Sequence, residues 1–167
     1  MSELASELMN AGAGGSGTLF DLAFYVAAPF WLLMILLPAW SWTARIVASP
    51  WIVAPTLVVW AIVAAPLFAP LWTLVTQPNL AEITEFAARP GAGTLMWAQI
   101  IAWDLFIGRW MYLDSRRRGV PALVMSPLLV VTVLLSPIGL PIYLALRHLP
   151  WFLASELGLR SPADSPR

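Results

Sequence analysis

Three ionisable residues, Asp104, Arg109 and Asp114, stand in or beside one apolar stretch of this chain. A carboxylate at membrane depth costs about 2.5 kcal/mol or more, so it is seldom there without a partner or a task. At about 100° per helical residue, Asp104 and Arg109 lie roughly 140° apart. Asp104 and Asp114 are about 80° apart in projection but about 15 Å apart along the axis. They are therefore not a paired-carboxylate site on one helix. Asp104 must find its partner on another helix or in water, or hold its proton. Held neutral by burial, it could act as a general acid. The bland alternative is a hydrogen bond that ties the bundle together. Arg109 can snorkel, pair with Asp114 or reach another helix.

Other chemistry is excluded by composition. The chain has no Cys and one His, His148, so disulfides, thiolate catalysis, multi-His metal sites and bis-His haem are ruled out. No metal or cofactor is expected. His148 beside Arg147 reads as an interface anchor, and no Ser-His-Asp arrangement can be built on it. The Gly-rich stretches follow no strand, so there is no nucleotide fingerprint. Nine basic residues, all Arg, balance nine acidic ones, which gives no hint of nucleic acid. The absence of Lys, with many Ala and Pro, points to a GC-rich bacterial genome.

The elements that must position these residues are written in the hydropathy. Of 167 residues, 60% are hydrophobic and 11% charged. An ordinary soluble domain has about 25% charged residues, so soluble, disordered and coiled-coil readings fall away. Four apolar blocks, 19–42, 52–75, 95–113 and 122–146, are each near the ~20 residues that span a bilayer. Backbone groups in lipid must bond internally, so the blocks are helices. The fold expected is all-α, an integral membrane bundle of four transmembrane helices. Thr18 and Asp21 suggest a capping box at the start of the first block, and Pro29 and Pro38 suggest kinks in it. Prolines recur in the second and fourth blocks. Asn79 and Glu82 predict a capped amphipathic helix over 80–88, lying on the membrane surface between the second and third spans. Residues 1–17 lack the marks of a signal peptide. Within them 2–9 suggests a short surface helix and the Gly-rich 12–17 a flexible linker. The membrane domain is then 18–149 and the C-terminal tail 150–167, of which 161–167 is polar.

On the third block, Trp97, Ile101, Asp104, Gly108 and Met111 share one side, which is expected to face the bundle interior. Gly108 would let another helix approach closely. Seven of the ten Trp lie near block ends, as an interface belt requires. Trp31, Trp60 and Trp103 lie deeper. They read either as packing or as the lining of a slot for a long apolar ligand. Arg45 and the run 116–118 face Arg89, Arg147 and Arg160 across four spans. That bias puts both termini on one side, outside the cytoplasm, with the run as a topology determinant and lipid-head contact.

In order along the chain come Pro29-Phe30, Leu33-Met34, Pro38 and Thr43. Trp97, Asp104-Leu105-Phe106, Arg109, Tyr112 and Asp114 follow, and then Pro137-Ile138-Gly139. This pattern resembles the abscisic-acid-deficient-four-like family of small four-helix membrane proteins. The likeness runs from about 19 to 147. Its plant members are required to make the carotenoid neoxanthin. The resemblance implies a carotenoid or other long apolar ligand, with Asp104, Arg109 and Asp114 as catalytic candidates. Trp31, Trp97, Gln99, Trp103, Gly108 and Tyr143 are the candidate ligand contacts. Gln99 stands where the family often has His, and Tyr143 where plant members can have His. Gln99 can hydrogen-bond but cannot shuttle a proton. Making an allene from an epoxide needs a proton for the epoxide oxygen and a base for a carbon-bound proton.

Two readings follow. One is a metal-free carotenoid isomerase or epoxide-opening enzyme. The other is a carotenoid-binding or structural subunit of a larger, photosynthetic membrane assembly. A channel is disfavoured, because one intramembrane Asp without a polar stripe makes a poor water path. The expected location is the bacterial inner or intracytoplasmic membrane.

Overall fold

A computed structural model describes the backbone of residues 2–147 and the side chains of 15 and 17–147. His148, Trp151 and the tail 150–167 lie outside the described residues. Among the described residues seven α-helices follow one another: α1 Ser2–Leu36, α2 Ser41–Ala48, α3 Ala54–Thr76, α4 Leu80–Ala87, α5 Ala92–Arg118, α6 Ala122–Leu134 and α7 Ser136–Leu146. A 3-10 turn, Pro50–Val53, leads into α3. Among the described residues Gly17–Leu36 and Pro50–Thr76 are long and apolar enough to cross a membrane. The all-α fold class is as expected.

Three block boundaries differ from the sequence reading. α1 continues through 12–17 without a linker, so Thr18 and Asp21 do not start a helix. Each Gly weakens a helix by about 1 kcal/mol, but none forbids it, and this stretch contains no Pro to stop it. Pro38 does not kink the first block but ends it, because α1 stops at Leu36 and a turn precedes α2. Pro lacks an N–H and pushes the residue before it out of the helical region. The fourth block is not one span-length helix. Leu135 leaves the helical region at φ −148° and ψ 68°, and the block becomes the separate helices α6 and α7.

The chain packs as two units, 1–29 with 53–103, and 30–52 with 104 onward. In the first, Val63 and Ala64 of α3 meet Phe86 of α4 and Ala92 and Leu95 of α5. Ala23, Val59 and Ala98 form a second cluster. Small residues at these contacts let helices approach closely where lipid supplies no hydrophobic drive. α4 forms as its cap predicts, the Asn79 side chain accepting the Glu82 N–H at 2.9 Å. Its buried anchor is Phe86, while Leu80 and Ile83 stay exposed.

The second unit is built on the lower half of α5. α5 ends in a Schellman turn: Gly119 adopts φ 69°, and the Val120 N–H reaches the Ser115 carbonyl at 2.9 Å. α6 and α7 then pack on each other as a hairpin. Gly139 lies so close to Thr132 that a Cβ there would sit 2.7 Å from the Thr132 Cα. The tip amides of Leu135, Ile138 and Gly139 all find carbonyls within it.

Candidate functional site

Asp104 is buried, 8% exposed, on the side of α5 that also buries Ile101, Gly108 and Met111. That is the side expected to face inward. Its carboxyl lies near the side chain of Ser136. Ser136 is the first residue of α7, at the tip of the α6–α7 hairpin. The break in the fourth block therefore delivers a hydroxyl to the one carboxylate inside the apolar stretch. The positive end of the α7 dipole lies beside it.

Arg109 serves a different purpose from pairing with Asp114. Its Nε donates to the carbonyls of Val47 at 2.9 Å and Ser49 at 3.3 Å, and its Nη2 to that of Ala48 at 2.6 Å. These are orphan carbonyls at the end of α2, and a cation there also complements the helix dipole. One turn on, the Tyr112 hydroxyl donates to the Pro38 carbonyl at 2.8 Å. Thr43, fully buried, donates to the Leu37 carbonyl at 2.8 Å. Arg109, Tyr112 and Thr43 together clamp the turn between α1 and α2.

Asp114 and Tyr143, candidates for different roles, meet each other. The Tyr143 hydroxyl donates to the Asp114 carboxylate at 2.7 Å. Arg118 reaches the same oxygen at 2.8 Å and Arg147 at 3.4 Å. Arg147 also lies over the Trp110 ring, 5.2 Å from its centre. Asp114 stands one residue past the apolar block. Burial alone would raise its pKa, but the bonds from Tyr143 and Arg118 and the charges of Arg118 and Arg147 outweigh it and hold the carboxyl below its ordinary 3.8. A depressed folded-state pKa gives stability that is present above the unfolded value and lost as pH falls through the folded one. The midpoint of unfolding in detergent should therefore drop as pH falls below about 4. Asp114→Asn should flatten that part of the profile, and an unchanged slope would remove Asp114 from the account.

The candidate ligand contacts divide. Trp31, 4% exposed, fills the space over Gly108, where a Cβ would lie 2.7 Å from the ring Cζ3. This pair is interior packing. Trp97, Gln99 and Trp103 belong to the other unit. Trp97 stacks on Phe20 with ring centres 4.9 Å apart, and its buried Nε1 has no acceptor. Gln99 is half-buried, and Trp103 is 63% exposed. Trp103 faces outward, so it does not line an interior slot.

Ser136, Tyr112, Arg118 and Arg147 were not singled out as site residues from the sequence. Arg118 was within reach, because it stands four residues after Asp114 on one helix. Ser136 carried a weaker sign, as the residue before Pro137 in an apolar block. Nothing local pointed to Arg147.

Of the positions that carry the likeness noted above, Pro38, Thr43, Asp104, Arg109, Tyr112, Asp114 and Gly139 lie on contacts within the second unit. No curated protein and no solved structure matches the chain. The family model described as ABA DEFICIENT 4-like matches residues 18–143, about three quarters of the sequence, and the chain belongs to that family.

Proposed function

We propose that this protein acts in carotenoid metabolism within a bacterial inner or intracytoplasmic membrane, as a metal-free isomerase that opens an epoxide end group. Family membership supports the carotenoid-related role. The observation that carries the catalytic reading is the buried Asp104 with Ser136 near its carboxyl. In the protonated form Asp104 gives its proton to the epoxide oxygen as the C–O bond breaks, making a hydroxyl. The C–H pair next to the polyene forms the new double bond of an allene. The discharged carboxylate takes that proton, so atoms balance and the acid is restored. Ser136 orients the carboxyl. Arg109 and Asp114 position the helices around it.

A second reading has the protein hold a carotenoid unchanged, as an accessory subunit of a larger assembly. It is favoured by how many motif residues are occupied in packing and by the outward faces of Trp103 and Phe106. Expression in a host that accumulates epoxy-carotenoids separates the two. Wild type should convert the pigment, and Asp104→Asn should fold yet lose conversion by about 100-fold or more. Full conversion by the Asn variant removes Asp104 from the chemistry. Unchanged pigment bound stoichiometrically to both proteins favours the accessory subunit.

A further inference from the structure

We propose that α6 and α7 form a re-entrant hairpin, entering and leaving the bilayer on the side that holds Arg116, Arg117 and Arg118. The first argument is length. α6 has 13 residues and α7 has 11, which at 1.5 Å per residue gives about 20 and 16 Å, against a core of about 30 Å. Neither helix can cross alone.

The second argument is register against α5. Ser136 at the tip meets Asp104, Thr132 donates to the Met111 sulfur at 3.7 Å, and Tyr143 meets Asp114. From Asp104 to Asp114 is about 15 Å along α5, and from Ser136 to Tyr143 about 10 Å along α7, in the same direction. α7 therefore runs parallel to α5 and returns toward the end at which α5 finished. A straight fourth span would carry Tyr143 to the opposite end. The ion pair of Arg147 with Asp114 closes the return at the level of Arg118.

The third argument is which side chains face out. Residues 122–146 contain no charged residue. Leu123, Leu134, Ile138 and Ile142 are exposed, whereas Thr132 and Tyr143 turn their hydroxyls inward to bonds and Ser136 lies near Asp104. The surface so presented suits acyl chains and not water. Broken helices persist at membrane depth where their polar groups find partners in the protein, as they do here. The consequence is that Arg147 lies on the side of Arg116–Arg118. That departs from the four straight spans and the shared side for both termini expected from hydropathy.

The absence of native Cys makes the test clean. Gln77→Cys, Arg117→Cys, Ser161→Cys and Leu134→Cys are each exposed to a membrane-impermeant maleimide, in right-side-out and inverted vesicles. Residues 117 and 161 should label from one side and 77 from the other. Leu134, 73% exposed on the protein, should resist labelling from both sides until detergent is added. Labelling of 161 from the side of 77 would show a full fourth span and overturn the proposal. So would 77 and 117 labelling from one side, or a Leu134 cysteine that labels in intact vesicles.

Discussion

Gly139→Ala is expected to cost about 3 kcal/mol of stability, near the upper end for overpacking a tight contact. The added Cβ would meet the Thr132 Cα at 2.7 Å and its Cβ at 2.9 Å. Backbone cannot swing aside as the end of a long side chain can, so the two helices must separate. Separation moves Ser136 away from Asp104 and stretches the Tyr143 bond to Asp114, which lie on either side of Gly139 along α7. Gly93→Ala is the matched control, because nothing lies within 4 Å of a Cβ there. It should be neutral or slightly stabilising, by up to about 1 kcal/mol, since Ala is the better helix former. Reversible unfolding in mixed micelles measures both. Equal stability of the two variants would mean that the hairpin does not need the close approach.

Arg109→Met should cost a similar amount, about 3 kcal/mol, by a different route. Methionine keeps most of the stem but removes the donors to the carbonyls of Val47, Ala48 and Ser49. A helix end left with orphan carbonyls near lipid has no water to take them up. The damage should be local, so amide exchange or proteolysis over 41–49 should rise more than elsewhere. Arg109→Lys should recover only part of the loss, because an ammonium lacks the planar fork that reaches three acceptors. Protection of 41–49 equal to wild type in Arg109→Met would show that α2 is held by its buried Thr43 and Val47 alone.

Where Asp104 sits is legible in the sequence. Asp104 was visible as a carboxylate in an apolar block, and its inward side followed from helical spacing with Ile101, Gly108 and Met111. The candidate roles of Arg109 and Asp114 were harder. Helical geometry excludes a pairing between Asp104 and either residue on the same helix, but it does not say what an Arg will reach. Arg109 ends on carbonyls some sixty residues away, and Asp114 on Tyr143 and Arg147 of α7. Such partners are backbone oxygens or distant side chains, for which the sequence carries no local sign. Trp103 shows the reverse case. A deep Trp suggested an interior slot, yet its 63% exposure puts it on the outer face, because in lipid an outward aromatic is not penalised.

The hydropathy alone determined that the chain is helical and suited to a bilayer, since unbonded backbone in hydrocarbon is costly enough to leave little choice. The Asn79 cap with Glu82 determined the short helix α4, because a cap is decided within one turn. Tertiary structure alone decided the path of the fourth block. Pro137 makes a break affordable, but a kinked span and a folded-back hairpin share the same sequence pattern. The choice rests on contacts between residues far apart in the chain: Ser136 near Asp104, Tyr143 and Arg147 on Asp114, and Thr132 against Gly139. Each is a short-range force that acts only once the helices are together, so no local window of the sequence contains it.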